Sequence, residues 1–261
     1  MFRSLLTFLV VTTLIPACSS AGLRGKSASG GAPKDTPLAL NNCKASVPAK
    51  ACGLSSLAAR LETIKSLQSS QTLNGIRLEP QNIPQQRLQD VTLNASCLSE
   101  NSFVEGQWER TIFAGSEMIL TEASRTRWSQ ARFTDSDLRL SHFAYANFSE
   151  LTVRGSCLAS SNWSASQFQD VSIEDSSADQ GNFSSIKAQG RFAFIRGLLT
   201  TTNFSHAVFE GPVNFQDSDL RGANLSGAIF KETVNWQGAQ LSGATWMDGR
   251  VCAEGSVGTC L

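Results

Sequence analysis

The 261-residue chain has little of what catalytic and metal-binding sites are usually built from. It has two histidines, His142 and His206, which leave little for acid-base work or metal ligation. Charge of either sign is not in excess: 22 Lys plus Arg stand against 22 Asp plus Glu, so neither a basic nucleic-acid footprint nor a strongly acidic decoy surface is supported. There is no Gly-x-Ser-x-Gly elbow to present a nucleophile and no glycine-rich phosphate loop, since Ser29-Gly30-Gly31-Ala32 falls in a low-complexity stretch. No cysteine spacing matches a zinc site. Neither a metal nor a cofactor is expected. A chain that is 41% hydrophobic and 17% charged nevertheless has ample material for a core, which excludes disorder.

Long apolar runs are confined to the start. Arg3 precedes an 11-residue run, Leu5 to Ile15, too short for a bilayer span of about 20 residues but of the length found in secretory signals. The run ends in Ile15-Pro16-Ala17-Cys18, which resembles a bacterial lipoprotein signal; the resemblance implies cleavage before Cys18 and acylation of its thiol. Ser19, rather than Asp, after the cysteine resembles lipoproteins sent on to the outer membrane. Residues 18–42 are rich in Gly, Ser, Ala and Pro and read as a flexible tether. Within residues 43–72, Leu54, Leu57, Leu61 and Ile64 recur at helical spacing, so a short amphipathic helix over about 54–68 is expected to form an N-terminal cap.

The body of the chain repeats every five residues. From Leu88 the frame runs Leu88, Leu93, Leu98, Phe103, Trp108, Phe113 and on to Ala188, with only Ala123, Ala178 and Ala188 not large and apolar. It resumes after single-residue insertions as Phe194 to Phe209, Phe215 to Phe230, and Trp236 to Trp246, which makes thirty-two units. All five Trp, and twelve of the thirteen Phe that follow the signal, occupy this one position. Two residues earlier lies a smaller set that includes Ala131, Ala146, Ala207, Ala223 and Ala244, with Ser, Thr, Gly or Val at most others. A period of five fits neither a helix at 3.6 nor a strand at 2, and a short sustained repeat points to a solenoid.

Ala146-Asn147-Phe148, Ala223-Asn224-Leu225 and Ser218-Asp219-Leu220 resemble the A-(D/N)-(L/F)-x-x unit of the pentapeptide-repeat family. The resemblance covers about Arg87 to Asp248, and Leu73, Leu78 and Ile83 keep the frame further back. It implies an all-β fold, a right-handed quadrilateral β-helix over 73–248. Four units would make a coil, with the centre residue and the one two before it pointing inward. Counted that way, all three insertions fall between the first and second face, and the third face stacks only aliphatic or small residues: Leu98, Met118, Leu138, Leu158, Ala178, Leu199, Leu220 and Leu241. Eight coils at the strand spacing of about 4.8 Å would give a rod about 38 Å long.

A solenoid needs caps. Residues 249–261 are expected to supply the second one, because Trp246-x-Asp248-Gly249 followed by Cys252-Ala253-Glu254-Gly255-Ser256 resembles the tail of many bacterial pentapeptide-repeat proteins. With Cys18 acylated, six cysteines remain, an even number that suits an exported protein. Cys43 with Cys52 and Cys252 with Cys260 are close in sequence and form the expected disulfides. Cys97 and Cys157, three coils apart on one face at about 14 Å, are expected to stay free. His142, His206 and the scattered acids take outward positions, where solvated side chains are the default, and Asn147, Asn162, Asn182 and Asn203 precede aromatic centres, where they suit turn hydrogen bonds.

These readings lead to a non-enzymatic envelope lipoprotein, held to the outer membrane by its acyl anchor and facing the periplasm or the cell surface. Its β-helix would be a scaffold or docking surface for another envelope protein, in a secretion or envelope-assembly system, with no nucleic acid bound. The insertions would stack as an outward ridge carrying Arg191, Glu210, Lys231 and Glu232, the candidate binding feature. A rival is the DNA mimicry of topoisomerase-binding pentapeptide proteins, disfavoured by the export signal and the neutral charge. A second rival is a hydrolase using Ser, His142 and an acid, which would require the three on adjacent coils of one face.

Overall fold

The chain divides into two compact units, Met1–Thr36 and Pro37–Leu261. The computed structural model describes residues 69–261, all within the second. The expected signal, Cys18, the tether, the 54–68 helix and the Cys43–Cys52 pair lie outside the described residues.

A five-residue unit has room for only a three-residue strand and a corner. In a strand of three the centre points one way and its two flanks the other, so Trp108 is buried between Gln107 and Glu109, and Phe133 between Arg132 and Thr134. The residue two after most centres then turns the chain through a positive φ, as at Asp90, Ala95, Glu100 and Glu105 in successive units. Four such corners close a coil, and each strand lies parallel to its equivalent twenty residues on. Face one runs Leu88, Trp108, Trp128, Phe148 and Phe168 in register. Face two runs Leu73, Leu93, Phe113, Phe133, Val153 and Ile173. Faces three and four are joined by parallel bridges such as Cys97 to Glu117 and Ser102 to Glu122. The frame therefore begins at Thr72, and the described residues form strands and turns without a helix.

The core is the set of stacked centres. Phe148 is 2% exposed, and its ring lies 6.0 Å from Trp128 and 5.3 Å from Phe168, both stacked. The aliphatic column of face three, Leu98 to Leu241, is buried throughout. The second inward position is small because it sits beside a corner, and its hydroxyls satisfy backbone that would otherwise be orphaned. On face three, Ser116 Oγ donates to the Leu93 carbonyl at 2.9 Å and accepts from the Ser96 N–H at 3.1 Å. Ser136, Ser156 and Ser176 continue the same relay upward.

The insertions change the coil from twenty residues to twenty-one. Gln169 pairs with Gln189 but Val171 with Phe192, so Lys187–Ile195 carries one extra residue at Gly190–Arg191 against Gln167–Glu174. Phe192, the one Phe outside the frame among the described residues, fills the second inward position, 1% exposed, over the bulge. Beyond it Val213 pairs with Val234 in the longer register.

At the C-terminal end the chain reverses and closes the last coil. Thr245 bridges Val251 and Gln240 bridges Val257, both antiparallel. The Leu241 N–H donates to Ser256 and the Cys252 N–H to Ala244, so backbone left open by the last coil is paired. Cys252 and Cys260 are joined by a disulfide, with Cα atoms 4.9 Å apart.

Candidate interaction surface

The faces present their outward rows as flat ladders, and the insertion corner is where that regularity breaks. Gly190 takes φ 65, and Gly211 of the next coil lies so close above it that a Cβ would meet the Gly190 carbonyl oxygen at 2.1 Å. The middle of the expected ridge is thus recessed and buried at Gly211, while Arg191, Pro212, Lys231 and Glu232 are exposed around it. Glu210 is half-buried and links the coils: Lys231 Nζ lies 3.2 Å from its carboxylate, Lys187 Nζ 3.4 Å, and Gln189 Nε2 donates to it at 3.3 Å. The hydrogen bond from Lys231 holds the Glu210 carboxyl below the usual range. Sequence spacing placed the four charges on one corner but gave no sign of Lys187 as Glu210's second partner.

Arg191 stands between two depressions. One of about 350 Å³ is walled by Arg110, Arg132, Glu150 and Asp170. The other lies over Pro212, Val213 and Val234. The Arg191 N–H donates to the Asp170 carboxylate at 3.1 Å, which anchors the backbone of the bulge and leaves the guanidinium exposed. A shallower groove of about 630 Å³ runs along face one over Gln107, Arg127, Asn147, Gln167 and Lys187. Its floor is the sheet itself, so it offers amides and cations but no enclosed pocket.

The hydrolase arrangement fails on order. Ser102, Glu122 and His142 do share one outward column on adjacent coils. The acid, however, lies between the other two, and its carboxylate is held by the Ser124 N–H and hydroxyl. Ser102 and His142 are two coils apart, about 10 Å, beyond the hydrogen-bond reach that activation of a nucleophile requires. The inward serines are also committed, as Ser166 Oγ shows by donating to the Phe143 carbonyl at 2.7 Å. Both histidines are exposed. Asn162, Asn182 and Asn203 form an amide ladder at 3.3 and 3.4 Å, and their Oδ1 atoms accept from the N–H groups of Ser164, Ser184 and Ser205. Asn147, by contrast, lies in a face-one strand outside that ladder.

Cys97 and Cys157 lie in one outward column, linked through Glu117 and Asp137 as three coils require. Both are disulfide-bonded, which corrects the expectation of free thiols. That expectation rested on the distance between the two, which excludes a bond to each other and says nothing of any other partner.

Residues 199–247 match the family model for pentapeptide repeats, nine copies. No curated protein sequence matches the chain. Among solved structures it is similar to HetL, a pentapeptide repeat protein involved in heterocyst differentiation regulation in the cyanobacterium Nostoc sp. strain PCC 7120. Identity there is 17% over 70% of this chain and 92% of that one, with a TM-score of 0.31. It is also similar to a trypsin-treated form of QnrB1, a plasmid-mediated fluoroquinolone resistance protein, at 16% identity over 70% and 81% of the two chains, with a TM-score of 0.34. The family match over residues 199–247 and the four-unit coil, traced in register from Trp246 back to Thr72, give the chain the fold of a pentapeptide-repeat β-helix.

Proposed function

We propose that this is a non-enzymatic envelope lipoprotein whose β-helix is a docking scaffold for another envelope protein, with the insertion corner around Arg191 as its binding feature. The observation that carries the reading is Arg191 itself, exposed on an anchored bulge between two depressions on an otherwise regular rod. A partner with an acidic group could meet the guanidinium while covering Pro212 and Val234. Export is supported by the sequence that ends at Cys18 and by the oxidised state of the described cysteines, all four in disulfides, which suits the periplasm. The outward row of face one carries Arg127 and Lys187 among amides, and that of face four carries Glu122 among Ser, His and Asn, so neither is a ladder of acids, which favours a protein partner over mimicry of a polyanion.

Cys18→Ser should move the protein from the membrane pellet to the soluble periplasmic extract; an unchanged pellet would remove the anchor from the reading. Docking is tested by a photo-crosslinker at Arg191 or Pro212 against one at Gln180, with all three variants expressed in cells. One discrete adduct from the corner sites, absent at Gln180, is expected. Equal or absent adducts at all three would move the docking site elsewhere.

A further inference from the structure

Face one differs from the other three in what it turns outward. The row that precedes its centres pairs in register as Arg87, Gln107, Arg127, Asn147, Gln167 and Lys187, all exposed or half-buried. The row that follows them, Gln89 to Gln189, holds only amides, serines and Glu109. Face two turns Ile112 outward, face three Ile119 and face four Val104. Face one shows no apolar side chain over these six coils, and its first row becomes apolar only beyond them, at Val208 and Ile229.

The polar groups of the first row are uncommitted. Among the described residues, the guanidiniums of Arg87 and Arg127 and the amides of Gln107, Asn147 and Gln167 form no side-chain hydrogen bond or ion pair. On face four the equivalent amides satisfy one another, as when Asn182 Nδ2 donates to Asn162 Oδ1 at 3.3 Å. The acid of face one, Glu109, is held by Arg110. Lys187 Nζ leans to Glu210 at 3.4 Å. At the corner leading into the face Arg125 is exposed, and Glu105 accepts from Gln85. Arg87 and Arg127 stand two coils apart, about 10 Å, and the row to Lys187 covers five coil spacings, about 24 Å.

We propose that face one binds an extended acidic polysaccharide laid along the rod, its carboxylates on Arg87 and Arg127 and its hydroxyls on the amides between and beyond them. A guanidinium presents parallel N–H groups that match a carboxylate. An amide side chain places a donor beside an acceptor, and a sugar hydroxyl is both. Three cations against one committed acid supply the charge complementarity. A protein partner would need an apolar centre that excludes water, which this face lacks. A single-stranded nucleic acid would need outward rings on which to stack its bases, and face one has none. The site is separate from the insertion corner, so each reading can fail without the other.

The test is affinity electrophoresis of the full-length protein in native gels containing polygalacturonate, neutral dextran or polyglutamate, each mobility normalised to a gel without polymer. Polygalacturonate should retard the protein and the other two should not. Arg87→Gln/Arg127→Gln should weaken the retardation about tenfold or more, since two charge-assisted contacts are lost. Gln107→Ala/Asn147→Ala/Gln167→Ala leaves the charge unchanged and should weaken it severalfold. Arg132→Gln/Arg154→Gln on face two removes the same charge and should bind as wild type does. All three variants alter outward side chains, and a wild-type thermal melt checks that each is folded; if one of the face-one variants does not fold, the other still decides. No retardation by polygalacturonate, or equal retardation by dextran, would overturn the proposal. Equal retardation by polyglutamate would assign the face to acidic peptides instead. An equal loss in the face-two variant, or none in the amide variant, would reduce the effect to net charge and overturn the site.

Discussion

Corner residues bear the least favourable backbone in the molecule. Leu120, Leu140 and Tyr145 take φ of 56, 60 and 60 with their side chains exposed, so the packing gains nothing from them in return for the left-handed conformation. An L-residue there costs about 1 to 2 kcal/mol, and Asn tolerates it better than a branched aliphatic. Leu120→Asn should therefore stabilise the protein, by about 0.5 to 1 kcal/mol, read as a rise in the thermal midpoint; a fall would show that Leu120 packs on something. A second residue-level economy concerns the indoles. Trp128 Nε1 donates to Thr126 Oγ1 at 2.7 Å and Trp163 Nε1 to Ser161 Oγ at 2.6 Å, so the small inward residue doubles as the partner of the ring two places on. Trp108 follows Gly106, which has no hydroxyl to offer, and its buried N–H has no hydrogen-bond partner.

At the scale of the strand and its corner, the column is the unit of stability. Phe148→Ala opens a hole between two stacked rings that the coils above and below cannot close without breaking their ladders, so it should cost about 3 to 5 kcal/mol in chemical denaturation. A loss under 1 kcal/mol would mean that the centres are not the core. Corners add smaller, pH-dependent contributions. Arg196 reaches Asp175 on the coil below at 2.6 Å, and that hydrogen bond lowers the Asp175 carboxyl from its ordinary 3.8, with Arg154 acting in the same direction and Glu174 competing for Arg196. A lowered folded value means the stabilisation is complete above about 3.8 and is lost as pH falls through the folded value. Arg196→Gln should thus be less stable than wild type near pH 7, and the two should converge in acid once Asp175 is protonated in the folded protein. A gap that persists there would assign the effect to packing of the Arg196 stem.

For the molecule as a whole, the repeat was legible because every unit must bury its own centre: a five-residue strand-and-corner leaves no freedom for the apolar residue to move. Trp108, Phe133 and Leu158 could be placed on faces one, two and three by counting alone. The Cys252–Cys260 pair was legible from its short spacing, whereas the bonded state of Cys97 and Cys157 was not, since column arithmetic tests only a bond between those two. The same holds for Lys187, which joins Glu210 across the twenty-three residues that the coil folds into contact. The recess at Gly211 depends on a backbone approach that composition does not record.

The switch from twenty to twenty-one residues per coil makes the length of this rod a quantised quantity. Away from the insertion corner, insertions and deletions within the β-helix can be neutral only in whole coils, and the size of the quantum depends on where they fall. Excising Glu210 to Phe230 removes twenty-one residues and joins Phe209 to Lys231 with every later column in frame. Excising one residue fewer, Lys231 remaining preceded by Phe230, turns every later centre toward the neighbouring position of its unit and puts Trp236 and Leu241 out of the core. The first variant should fold to a shorter rod with a cooperative melt, and the second should lose its C-terminal coils to protease. If both resisted alike, the corner would be absorbing register. Such a corner would let lineages of this protein drift in length one residue at a time instead of by duplication of coils.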